Sequence, residues 1–276
     1  MKINYYILAW VFLLSAFAFS CSESSDDPVP QMPEALMEPV IFNFTGTWDS
    51  QCGQLSRSVM DSIRLNYPAT PVINVHIDGS GGTPGDPLGN NQSESLARFF
   101  NVYPNVDSAY HIPYSWFMYA GGLGGINYSS NVYQDLSTSI EWARENLVPA
   151  MALDIVPELS GNNLSVKVKT EAVQNFPMPV FLSVYITEDD VNAVQVDDNG
   201  LIQNLHHDVF RSCLNAFNGD KIADVIHYQD KNEYSYTGIL EQGWNPGKIK
   251  VTVIVWYKDA TYGNLVHLGK RVKLSP

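Results

Sequence analysis

Apolar residues recur along this chain with two different periods, and the change falls at Pro149. Ahead of it, PVIFNF (39–44) is a short apolar run of the length of a buried strand. From Cys52 the chain reads CGQLSRSVMDSIRLNYP, which places Leu55, Val59, Ile63 and Tyr67 four apart on one helical face and stops at Pro68. PVINVHI (71–77) is a second buried run, so the order strand, helix, strand with short links predicts a parallel pair joined by a right-handed crossover. SESLARFFNV predicts a short helix. AYHIPYSWFMYAG carries a Pro between two strand-like runs, and NVYQDLSTSIEWARENLVP aligns Val132, Leu136, Ile140, Ala143 and Leu147 on one stripe.

After Pro149 the period becomes two. LSVKVK (164–169) alternates Leu164, Val166 and Val168 with Ser165, Lys167 and Lys169; VFLSVYI (180–186) and KIKVTVIV (248–255) are read the same way, as strands with one buried face. The turn clusters SGNN, DDNG, NPGK and DATYGN separate such runs, which predicts an antiparallel sandwich of about seven strands. VFRSCLNAFNGD (209–220) interrupts the pattern with mixed signals, fitting neither period, and reads as a strand followed by an ornate loop.

Residues 1–20, MKINYYILAWVFLLSAFAFS, have the layout of a secretory signal, with Lys2 ahead of an apolar run and small residues before Cys21. LSAFAFSC resembles a bacterial lipobox, which implies cleavage before Cys21, lipid on that Cys, and attachment to a membrane without a spanning helix. The acidic, Ser- and Pro-rich stretch that follows, within residues 21–37, reads as a flexible tether. Such acidic residues resemble the export signal of surface-displayed lipoproteins. Two further domains are expected, 38–149 and 150–276.

The whole chain carries a net charge of -13, and loss of residues 1–20 removes Lys2 and brings it to -14. That balance, without a basic stripe, argues against nucleic acid and anionic lipid as partners. Beyond Cys21 only Cys52 and Cys213 remain, too few for a disulfide scaffold.

The chemically suggestive stretch is FTGTWDSQC, in which Trp48, Asp49, Ser50, Gln51 and Cys52 have the outline of a redox loop with Asp where the first thiol belongs. With Pro113 opening a late strand, in the position of a cis residue facing the redox pair, the order of elements resembles the thioredoxin fold. FTGTWxxxC, the late Pro and HHDVFRSCLNAFNGD together resemble the Omp-twenty-eight family of bacterial outer-membrane lipoproteins, over most of residues 38–274. That resemblance implies an α/β thioredoxin-like domain followed by an all-β immunoglobulin-like sandwich, a location at the outer membrane, and a CxxC motif that is here degenerate.

Loss of the first Cys removes the dithiol cycle, and Asp49 is among the best helix N-caps. No His, Lys or Arg lies between residues 45 and 56 to activate Cys52, and Asp49 would raise its pKa. The reading is therefore an envelope lipoprotein with an inert redox loop, no cofactor, and a peptide, glycan or protein ligand. Two rivals are thiol exchange by Cys52 alone and a purely structural envelope component.

Other candidates divide between function and packing. Tyr110, Tyr114 and Trp116 beside Pro113 form either the wall of a binding groove or part of the core. His206, His207 and Asp208 are metal-like in type, but adjacent strand residues point to opposite faces. DGSGGTPGDPLGN (78–90), with five Gly and two Pro, is either an insertion or a loop beside a site. Cys213, set among Val209, Phe210, Leu214 and Phe217, is either a buried thiol or the partner of Cys52.

Overall fold

The computed structural model describes residues 35, 37–79, 85–102, 112–119, 122–128, 131–260 and 263–275. The expected signal segment, Cys21, Tyr110 and almost all of the tether lie outside them. Residues 32–276 form one compact unit.

Strand β1 (Val40–Thr45) runs into a π-helical turn (Cys52–Ser56) and helix α1 (Arg57–Asn66), and the chain returns as β2 (Val72–His76), parallel to β1. Helix α2 (Asn91–Phe99) is capped by Asn90, whose side chain accepts from the N–H groups of Gln92 and Ser93. Strand β3 (Tyr114–Tyr119) lies antiparallel to β1, β4 (Gly122–Asn127) pairs with β3, and α3 (Val132–Asn146) follows.

Alternation sorts β1 and β2 between two cores. Val40, Phe42, Phe44, Ile73, Val75 and Ile77 face an aromatic cluster, whereas Ile41 and Val72 face α1 and α3 through Val59, Ile63, Leu136 and Ile140.

The second half supplies β5 (Met151–Ser160), β6 (Asn163–Ala172), β7 (Val180–Glu188), β8 (Val191–Asp197), β9 (Gly200–His206), β10 (Val209–Cys213), β11 (Asp220–Ala223), β12 (Lys231–Ile239), β13 (Ile249–Asp259) and β14 (Gly263–Lys273). Of these, β7, β10, β11, β13 and β14 join the first half in one nine-stranded sheet, ordered β14-β13-β7-β10-β2-β1-β3-β4 with β11 also on β7, while β5, β6 and β12 form a three-stranded sheet and β8 and β9 a hairpin. The expected α/β thioredoxin-like domain followed by a separate immunoglobulin-like sandwich is therefore corrected: the described protein is mostly β, and its parallel pair is an inner part of a sheet shared by both halves.

The smaller sheet, β12-β6-β5, covers one face of the shared sheet. Leu164, Val166 and Val168 pack there with Leu182, Val184, Val251, Val253 and Val255. On the opposite face Tyr185, Ile254 and Trp256 join Phe42 and Phe100, with ring centroids 4.6 Å apart for Phe42–Phe100 and 5.5 Å for Phe42–Tyr185.

Strand β13 thus lies between two layers, and Ile249–Tyr257 is buried throughout, including Lys250 and Thr252. The alternation of KIKVTVIV does not mark a solvent face.

The halves meet at β10 and β2, where Val209 pairs with Asn74 and the Asn74 N–H donates to the Asp208 carbonyl at 2.8 Å. The Asp208 carboxylate, 1% exposed, takes Lys250 Nζ at 2.7 Å and Arg271 Nη1 at 2.8 Å. Lys250 also meets Asp189 at 2.6 Å, and Arg271 donates to the Pro68 carbonyl at 3.0 Å. Thus Asp208 serves in an ion-pair joint.

Breaking a buried pair by removing one partner leaves a charge uncompensated, so Asp208→Asn should lower unfolding free energy in urea by about 3 kcal/mol. Asp224→Asn, at the exposed Lys221 pair, should cost under about 0.5 kcal/mol.

Candidate functional site

The carboxyl ends of parallel strands are where α/β sheets usually place ligands. Here the side chains on the α1 side of those ends are polar: Asn43 and Thr45 on β1, Asn74 and His76 on β2, with Ser115 opposite Asn43 on β3. Asn43 is the hub. Its Oδ1 accepts from Ser56 Oγ at 3.2 Å, Ser115 Oγ at 3.1 Å and Tyr128 Oη at 2.8 Å, while its Nδ2 donates to Asn74 Oδ1 at 2.8 Å. Asn74 Nδ2 in turn donates to the His207 carbonyl at 2.7 Å. A buried amide bonded through both its oxygen and its nitrogen fixes the backbone around it.

A second cluster lies beside the first. Asp86 Oδ2 takes the Thr47 N–H at 2.6 Å and lies 3.2 Å from His76 Nδ1, and Asp86 Oδ1 takes the Leu88 N–H at 2.9 Å. Burial pushes the Asp86 carboxyl up, but His76 and the backbone N–H groups outweigh it and hold it below the usual carboxylate range. Asp86 belongs to the Gly-rich connection 78–90, whose described end is thereby tied to the FTGTW loop. Trp48 Nε1 donates to the Ile77 carbonyl at 2.9 Å, which fixes the same loop from the other side.

Asp49 Oδ1 accepts the Cys52 N–H at 2.8 Å, and the Asp49 carbonyl takes the Gly53 N–H at 3.1 Å. The Asp49 carboxylate therefore caps the helical turn. Ser50 and Gln51 begin that turn, and Gln51 is exposed. Cys52 is 2% exposed, and burial first, then the Asp49 charge, push its thiol well above the ordinary range; the Thr45 hydroxyl and Gly46 backbone recover only part. Cys213 is free as well, 7% exposed and pushed up by burial to about 12, so the two cysteines are not bonded to each other.

Over this loop lies β8–β9, a two-stranded hairpin paired with no other strand. Val196 N–H donates to the Thr47 carbonyl at 2.7 Å, and Gln195 Nε2 donates to the carbonyls of Gly46 at 3.3 Å and Asp49 at 3.1 Å. The approach is close enough to demand glycine at 53, where a Cβ would stand 2.1 Å from the Val196 carbonyl oxygen. Beneath the hairpin remains a cavity of about 40 Å³, lined by Asn43, Thr45, Cys52, Asn74, His76 and His206 among others, with room for a few waters. His206 lies ring to ring with His76, centroids 5.2 Å apart, and burial first, then His76, depress its pKa to about 3.

The Ile112–Pro113 bond is cis. Tyr114 and Trp116 pack partly buried against the aromatic core, with Trp116 6.0 Å from Phe100 and 5.9 Å from Tyr114. Among the described residues no group of three or more His, Cys, Asp or Glu is arranged to hold a metal ion. Sequence reasoning missed the hairpin as a cover and the roles of Asn43, His76, Asp86 and Gln195. Their available signal was the polar members at alternate positions of two otherwise apolar strands, Asn43 and Thr45, Asn74 and His76.

The family model for outer membrane protein Omp28 matches residues 127–268, just over half of the chain. The chain belongs to the Omp28 family. That membership makes it an outer membrane protein by family. No curated protein matches it in sequence. Among solved structures this Omp28 chain is similar to HBP35 of Porphyromonas gingivalis, at 12% identity and TM-score 0.67, over 87% of this chain and 76% of that one. It is also similar to protein AGR_C_4864 from Agrobacterium tumefaciens, at 9% identity and TM-score 0.51, over 88% of this chain and 97% of that one. At such identities the likeness concerns the fold alone.

His267, whose Nε2 accepts the Ala150 N–H at 2.6 Å, is held neutral by burial, with its pKa lowered to about 4. Like His206, it takes up a proton more readily unfolded than folded. Stability from both is therefore full above about pH 6.5 and is lost as pH falls from there toward the folded values. The urea midpoint should fall between pH 6.5 and 4, His267 alone contributing roughly 3 kcal/mol, and His267→Gln should flatten that part of the profile.

Proposed function

We propose that this Omp28 protein is a lipid-anchored envelope component, held through Cys21 and displayed at the cell surface, that acts by binding a peptide, glycan or protein and not by thiol-disulfide exchange. The observation that carries the reading is the state of Cys52: 2% exposed, covered by the hairpin, and kept protonated by burial and by Asp49. An attacking thiol needs thiolate character and access, and both are lacking here. The second free thiol, Cys213, is likewise buried and protonated, which leaves no partner among the described residues poised to complete a dithiol cycle. The acidic surface, with its net charge of -13, favours a ligand that does not present phosphates.

The native protein should reduce insulin disulfides no faster than buffer, and turnover within about tenfold of a dithiol thioredoxin would overturn the reading. In cells, labelled palmitate should enter the wild-type chain and not Cys21→Ala, and protease added to intact cells should remove the wild-type protein from the surface.

A further inference from the structure

The β8–β9 hairpin differs from every other strand pair in how it is held. Among the described residues it belongs to no larger sheet: neither edge forms a ladder, although the Val196 N–H reaches the Thr47 carbonyl, and an isolated hairpin is marginal by itself. Its inward face mixes partly buried Val191, Ala193 and Ile202 with buried Gln195 and Asn204 and partly buried His206. That face is imperfectly satisfied: among the described residues Asn204 Nδ2, in a side chain only 6% exposed, and the buried His206 Nε2 have no hydrogen-bond partner. Unmade hydrogen bonds cost most where water is excluded, so closure of this element is less favourable than its contact with the loop implies.

Its outward face carries Val194, Leu201 and Leu205, which are 41%, 75% and 51% exposed, so little apolar area holds it down. Both stems leave the sheet through a left-handed Asp, Asp190 at φ 58° and Asp208 at φ 51°, which places a sharp turn at each end of the segment. The remaining attachment is backbone and amide chemistry: Val196 N–H to Thr47, and Gln195 Nε2 to Gly46 and Asp49. Those are the contacts with which an extended strand adds to an exposed backbone, where main-chain bonds give affinity and one side chain gives register.

We propose that the hairpin is an intramolecular stopper in a peptide-docking groove: it vacates residues 46–53, and an extended peptide carrying an amide side chain takes its place. This names a ligand class for the binding reading above and rests on it. The groove selects for such a strand because the carbonyls of Gly46, Thr47 and Asp49 accept from the hairpin, because Gly53 leaves room for a carbonyl, and because any bulkier residue there would close it. Cys52 beneath is the reporter of opening, and Cys213, held in β10 where its N–H donates to Gln92 Oε1 at 2.7 Å, is the internal standard.

The test measures alkylation of each cysteine in the folded full chain by peptide mass spectrometry. Gln195→Ala should raise the rate at Cys52 about tenfold, the weight of one hydrogen bond in an opening equilibrium, and leave Cys213 unchanged. Gly53→Ala should do the same, since a Cβ displaces the hairpin while Ala suits the helix. A synthetic peptide of residues 191–206 should restore protection to the Gln195→Ala protein, whereas the same peptide with Ala in place of Gln195 should not; neither should protect Gly53→Ala. Labelling of Cys52 and Cys213 in step in all proteins would overturn the proposal, because the hairpin would then leave only with global unfolding. Faster Cys52 labelling that the peptide fails to suppress would overturn the groove. Failure of the inert-thiol reading would show separately, as insulin reduction by the wild-type protein.

Discussion

The carboxylate of Asp208 is the constraint on which the arrangement rests. It is buried between a Lys from β13 and an Arg from β14, while its own carbonyl takes the first N–H of the β2–β10 seam. A charge at that depth is tolerated only if it is matched, and matching it requires the start of β10 and the neighbouring strands β13 and β14, more than forty residues further on, to hold one arrangement. Once they do, the parallel crossover unit and the β-rich half share a single sheet. The hairpin, which starts from Asp190 and ends beside Asp208, is then delivered over the loop that leads into α1. The same residue thus fixes the joint between the halves and the place where the cover lands.

Local elements were legible because periodicity is written within one segment. Leu164, Val166 and Val168 point into the smaller interface as their spacing predicts, and Val59 and Ile63 face the sheet from α1. Asp49 as a cap was readable too, because an N-cap is chemistry over three residues. The global reading failed where a polar residue owes its position to a partner far along the chain. Lys250 and Thr252 seemed to define a solvent face, yet a second layer covers them and Lys250 finds Asp189 and Asp208. The separation into two folds failed for the same reason: the short β10, which suits neither period, is the strand that joins them.

Polar residues at the ends of β1 and β2 divide into those that build and those that leave something open. Asn43 satisfies four groups and fixes β1, β2, β3 and the start of the helix relative to one another. Asp86 does comparable service for the FTGTW loop. These networks tie the floor of the cavity together across three strands and a helical turn. The hairpin above is the opposite case, with buried nitrogens unpaired and an apolar surface turned outward.

That contrast bears on what the loop around Asp49 can do. A redox loop has to present its sulfur, whereas a docking loop has to present carbonyls at fixed positions and keep reactive groups out of the way. Asp49 serves the second need: its side chain secures the first helical turn, its carbonyl accepts from Gln195, and its charge adds to the burial that pushes the Cys52 thiol up. Rigidity is then concentrated in the loop and adaptability in the cover, which is the distribution expected when a preformed surface is to exchange one strand for another.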